Sequence, residues 1–385
     1  MKSLTWKSGA AFACGVFGGC ALVVAVVACS SSSAPPPPPT QTAAGECSAD
    51  AGQFPSPNCL TYPPSQQSCA TTPVSCNTAP CTSGSPCLAM GQDNSGKSVA
   101  DLRIRRLDVS APPALAKTFV QKTVLNQGID LHGQCGEGGD GTFSWLIQLD
   151  TANNKVTTGG APPATDPFGS GYCFVNTTIG SLQVGPVTVG MTKGADGTWS
   201  SDMIPKLNVP IYPPGLSPIV LPISGGSVKS VTLSDNNNCI GSYNPSAITS
   251  TNGGAMGSCT DDITACDRWI TGGSIGGYIT LEEADKVLVP QLSESLCVLL
   301  TGAADTMIGP TGEKLCARVN GAIKDKGDYC SSPVGPGGCG DSYWLAAAFA
   351  ASAAKIGDSS LDPQCKGGPA PMGDGGTGTT DAAGD

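Results

Sequence analysis

The chain has 385 residues, of which only 13 % are charged, and a formal net charge of −10. Its 52 glycines, 32 prolines and 19 cysteines against one histidine describe a turn-rich, crosslinked protein of an oxidising compartment. The acidic balance excludes a nucleic-acid-binding face, because the only basic cluster is Arg103, Arg105 and Arg106.

Lys2 and Lys7 give a positive start, and no residue from Gly9 to Ala28 is charged. The apolar run closes on "ALVVAVVA" and then Cys29. Residues 1–29 resemble the signal peptide and lipobox of bacterial lipoproteins, in which a branched apolar residue and small residues precede an invariant cysteine. The resemblance implies that the Cys29 thiol receives a diacylglycerol, that the chain is cut before it, and that the new amine is acylated. Several acyl chains hold a protein stably, where one binds only marginally. Ser30 stands where some bacteria place Asp to retain a lipoprotein in the inner membrane, so the resemblance implies the outer membrane. Two other readings compete. An apolar run of about 20 residues can span a bilayer, although Gly15, Gly18 and Gly19 weaken such a helix, and a secretory signal can be cleaved without lipid. Once Lys2 and Lys7 leave with the signal, the formal charge becomes −12.

Residues 29–46 form a Ser- and Pro-rich tether with no bulk for a core. Pro35 to Pro39 favour polyproline helix, and the 17 residues from Ser30 to Glu46 reach ~50 Å when extended. Setting Cys14, Cys20 and Cys29 aside leaves sixteen cysteines for disulfides, an even number. Cys47, Cys59, Cys69, Cys76, Cys81 and Cys87 crowd into residues 47–87, a segment too polar to fold by burial. Cys135, Cys173, Cys239, Cys259, Cys266, Cys297, Cys316, Cys330, Cys339 and Cys365 follow, and the pairing is open. Only Cys76 and Cys81 approach a zinc-ligand spacing, so disulfides are expected throughout.

Residues 88–280 carry strand patterns. "DLRIRRLDV" alternates, and "TFSWLIQLD" puts Phe143, Trp145, Ile147 and Leu149 on one face. "GSLQVGPVTVGMT", "KLNVPIY", "SPIVLPI" and "SVKSVTLS" continue at short spacing between Gly- and Asn-rich turns. The prediction is a mainly β protein, an antiparallel sandwich or barrel-like domain, with proline confining "LNVPIY" and "IVLPI" to edges or bulges. The three arginines read as a solvated strand edge that resists aggregation.

Residues 281–366 read as a small helical, disulfide-linked part. Thr280 and Glu283 have capping-box spacing, opening a helix that is interrupted at Pro290 and resumes to Leu300. "GEKLCARVNGAIKD" gives a second helix, so that Cys297 and Cys316 could bridge the two. Asp341 to Gly357, through "SYWLAAAFAASAAKI", gives a third between a good N-cap and a good C-cap. The Gly- and Asp-rich tail, 367–385, is predicted to be disordered.

The search for chemistry returns little. Gly272 to Gly276 spells G-x-S-x-G around Ser274, but no helix pattern follows and the one histidine, His132, lies upstream. Gly136 to Gly141 fits G-x-G-x-x-G but precedes a strand, so it reads as a turn. Asp235, Asp261, Asp262 and Asp267 lie in oxygen-rich loops that could take calcium, without any EF-hand pattern. Trp145, Trp199, Trp269 and Trp344 could stack on sugars, although the alternation around Trp145 places it in the core. The expectation is a cell-envelope lipoprotein, outer membrane over inner, with a non-catalytic ectodomain. Its partners are the membrane and a glycan or an envelope protein. The alternatives are a carboxylate-based carbohydrate hydrolase, or a carbohydrate- or calcium-binding adhesion module.

Overall fold

The computed structural model describes residues 87, 89–117, 120–130, 141–243, 269–332, 340–357 and 365. The signal segment, Cys29, the tether and the tail lie outside the described residues. So do His132, Asp261, Asp262, Asp267 and the cysteines at 47, 59, 69, 76, 81, 135, 259, 266 and 339. Among the described residues no helix is long and apolar enough to cross a membrane.

Ten strands build one antiparallel sheet. They are β1 (Val99–Ala111), β2 (Ser144–Asp150), β3 (Lys155–Ala161), β4 (Val187–Lys193) and β5 (Trp199–Ser201). They continue as β6 (Ile204–Ile211), β7 (Ile219–Lys229), β8 (Cys239–Ile240), β9 (Gly273–Thr280) and β10 (Ser342–Ala353). Their order is β5-β4-β3-β2-β1-β10-β9-β7-β6, with β8 also paired to β10. The sheet curls into a nearly closed, barrel-like shape. Trp199 of β5 and Val231, just past β7, exchange two backbone hydrogen bonds of 2.9 Å.

Period-two alternation fills the interior. Leu102, Ile104 and Leu107 of β1 point inward with Trp145, Ile147 and Leu149 of β2, as the sequence pattern predicts, and with Leu345, Ala347 and Phe349 of β10. The prolines obey the edge rule. Pro210 lies in β6, the last strand of the order. Pro222 lies in β7 beyond Ser224, where the ladder to β9 has ended, so its missing N–H interrupts no ladder on that side. At Gly225, with φ +54°, an added Cβ would stand 2.6 Å from the Tyr278 ring, so glycine meets both the turn and the close approach.

Three expectations are overturned. The Ala-rich segment after Asp341 is not a helix but β10, the middle of the sheet, laddered to β1 on one side and β9 on the other. Alanine favours helix by at most ~0.7 kcal/mol per residue over ordinary residues, and two complete ladders outweigh that preference. The segment around Cys316 is also extended, as short strands Lys314–Cys316, Arg318–Val319 and Ala322–Ile323.

The arginines of β1 are not solvated either. Arg103 and Arg105 are 0 % and 1 % exposed, because further layers of chain cover the outside of the sheet. Arg103 donates to the carbonyls of Ile129 (2.7 Å) and Phe143 (3.2 Å) and to Ser144 Oγ (3.1 Å), under the Tyr172 ring. Arg105 donates to Ser352 Oγ (2.8 Å), with its guanidinium 4.9 Å from the Trp269 ring centre. Arg106 pairs with Asp108. Burying such charges is tolerable only with this density of acceptors and ring faces. Beside them Met90, Leu146, Ala161, Tyr172, Phe174 and Ala354 form a second apolar cluster.

Between β9 and β10 the chain forms a small module. Thr280 caps α1 (Leu281–Ala284) by accepting from Glu283 N, as the capping-box spacing predicts. Ser295 caps α2 (Leu296–Thr301), and Gly302 closes it in the left-handed conformation. Cys297 and Cys316 are bonded, with Cα atoms 6.0 Å apart. Beside them the buried Asp285 carboxylate accepts from Ser295 Oγ (2.9 Å), Cys316 N (2.8 Å) and the Arg318 guanidinium (2.9 Å). Cys87–Cys239 and Cys173–Cys365 also stand at bonding distance, with Cα separations of 5.2 and 6.1 Å, and Cys330 is disulfide-bonded as well.

Candidate functional site: an apolar cavity at one end of the barrel

One end of the barrel is not filled. A cavity of about 190 Å³ lies there. Its walls are Leu107 and Val109 of β1, Trp145 of β2, Ile211 at the end of β6, Ile219 to Leu221 of β7, Ile275 of β9, and Leu345 and Ala347 of β10. Leu115, Val120, Val124 and Leu125 cover one side, and Val289, Leu292, Leu296 and Leu299 of the small module cover another. Pro214, Gln291 and Leu292 line the cavity and are also exposed, so its mouth lies between the turn after β6 and the turn at residues 289–293.

Local sequence explains why space remains. The β1–β10 ladder shifts register between Ile104 and Arg106 and again between Val109 and Ala111, so β1 twists as it passes the cavity. On the edge away from β10, where the ladder to β2 has ended at Arg103, the bulged strand is held by a side chain. Gln121 Oε1 accepts from Val109 N (2.9 Å), while its Nε2 donates to the Leu107 carbonyl (2.5 Å). Gln121 belongs to a π-helical segment, Val120–Asn126, that runs into a single helical turn at Gln127–Ile129. This wide helical geometry is rare and recurs at functional sites. From β10 comes Ala347, the smallest side chain on the wall.

The electrostatics are those of a neutral chamber. Among the described lining residues none is ionisable at physiological pH, and the polar side chains are Thr142 and Gln291, with the Trp145 indole. Trp145 Nε1 is already committed to Thr158 Oγ1 (2.8 Å). The charges of β1, on Arg103, Arg105, Arg106 and Asp108, leave the strand on its other face. Burial pushes the Tyr212 phenol, next to the lining residues Ile211 and Pro213, up to about 12, so it stays neutral.

The residues singled out in the sequence do not assemble into a catalytic set. Ser274 is buried, the second residue of β9, paired with Ala348 and Lys229 in the ladders on either side, and no strand-to-helix turn presents it as a nucleophile. Trp145 is core, as predicted. Trp269 and Trp344 are buried too, and Trp199 is half-buried beneath Lys193. None of these four offers the open ring face that a sugar would stack on. Asp235 sits on an exposed turn. Asp285, Cys297 and Cys316 have the composition of a metal centre, but the sulfurs are bonded to each other and the carboxylate is taken by three donors. A second, open groove mixes Asn176, Gln183, Lys206 and Asn208 with Leu182 and Val187, with no aromatic ring among its described residues.

Sequence reasoning missed the cavity. Its wall comes from eight or more separated segments, each of which reads as ordinary core. The one local signal is the apolar spacing of Leu115, Val120, Val124 and Leu125, an isolated amphipathic stretch. Comparison of the chain with protein-family models, with curated proteins and with solved structures finds no match.

Proposed function

We propose that the chain is a cell-envelope lipoprotein, held at the membrane through Cys29, whose barrel-like ectodomain binds a small apolar ligand without transforming it. The observation that carries the reading is the 190 Å³ cavity with its apolar lining. Binding sites for small molecules are concave and mostly apolar, with a few placed polar groups, and Thr142 and Gln291 supply these. An apolar void of this size in a core is a stability cost of several kcal/mol at ~24 cal/mol per Å³, which a ligand would offset. Among the described lining residues the Thr142 hydroxyl has no general base beside it to activate it.

The test is displacement of an environment-sensitive naphthylamine dye from the purified full chain. Saturable binding that is lost in Ala347→Phe is the expected result. A dye signal identical in wild type and Ala347→Phe would overturn the ligand site, and turnover of a polysaccharide panel would overturn the non-catalytic reading. The anchor is tested separately, by the mass of the mature N-terminus, expected to be a triacylated Cys29.

A further inference from the structure

We infer that the cavity selects uncharged ligands: it takes one ring or one short alkyl chain bearing at most a hydroxyl or carbonyl, and rejects the ionised amphiphile of the same length. This rests on the proposed binding site and adds its chemistry.

The first argument is charge. Among the described residues, no cation or anion lines the chamber. A carboxylate or ammonium drawn into it would give up water without a partner, and an unpaired buried ion is among the most unfavourable states in a protein. The sheet enforces this. Strand alternation puts Leu107 and Val109 on the cavity side of β1 while the same strand's ions, Arg106 and Asp108, bond each other outside.

The second argument is the pair of polar groups. The Thr142 hydroxyl and the Gln291 amide make no hydrogen bond to other described residues, so each can meet a ligand group. Thr142 is half-buried and Gln291 is exposed at the mouth. A hydroxyl or carbonyl can use both a donor and an acceptor there, whereas neither side chain neutralises an ion. The third argument is size. A cavity of about 150 Å³ lined by aliphatic and aromatic side chains stays dry and admits benzene, so 190 Å³ holds a fragment slightly larger. The long chains of a membrane lipid exceed that space.

The experiment uses the full chain reconstituted in lipid nanodiscs, with titrations into empty nanodiscs subtracted. Octan-1-ol, octanoate and octylammonium are titrated by calorimetry at pH 7.5. The expected result is saturable octanol binding with both ions weaker by about 100-fold or more. Thr142→Val and Gln291→Leu should each weaken octanol by about 5-fold or more. Octanoate or octylammonium binding as tightly as octanol would overturn the selectivity while leaving the binding site intact. Failure of all three probes to bind would overturn the site and the selectivity together.

Discussion

The two ends of this barrel share strands yet are packed to opposite standards. At one end Phe349 of β10, fully buried, meets Ile147, Met191, Val231 and Ile240, and only about 10 Å³ is left. At the other, two residues earlier on the same inward face of the same strand, Ala347 fronts a cavity of about 190 Å³. A loosely specified core would be loose at both ends. The contrast places the space in a choice of side chain, alanine where phenylalanine fits two positions on, and in a covering layer built from the π-helical segment and the small module.

That contrast can be broken most severely from the packed end. Phe349→Ala should open a second void and cost about 3–5 kcal/mol, read as a fall in the urea midpoint. Next in size is Asp285→Ala. It removes the acceptor of three donors and so loosens the module that covers the cavity, with a loss of about 3 kcal/mol and faster amide exchange at Cys316. Ala348→Leu sharpens the comparison from outside the barrel. Ala348 is 2 % exposed on the outer face, so added bulk should cost about 1–3 kcal/mol while dye binding in the cavity persists.

The smallest expected effect is one of pH. Hydrogen bonds from Ser95, then from Asn238, hold the Asp93 carboxyl down at about 2. A depressed carboxylate stabilises fully above its unfolded value near 4 and loses that contribution as pH falls through about 2. Asp93→Asn should therefore flatten the acid limb of the urea midpoint between pH 4 and 2, with a slightly lower midpoint at neutral pH and nearly the wild-type midpoint at pH 2.

Local signals were legible where local chemistry decided the outcome. The Thr280 cap, the inward face of β2 and the place of Pro210 in a terminal strand of the sheet all follow from a few neighbouring residues. The barrel-like class followed from many short strands between turns. The failures share a cause as well. β10 carries helix-forming alanines between good caps, and only its partners far away in the chain make it a strand. The arginines of β1 look like surface until Tyr172, Trp269 and the residues around Met90 are laid over them. The cavity has no local signature, since a void is a property of what several segments jointly leave unfilled.

The pairing of β1 with β10 has a temporal consequence. Leu102 finds its partner in Ala353, 251 residues later, so the barrel's middle strands join only when nearly the whole polypeptide is present. Contacts so distant in sequence form slowly. A chain whose middle strand is its last completes no stable barrel until that strand is available. A product truncated before Ser342 would leave β1 and β9 with bare edges facing each other and no strand to join them.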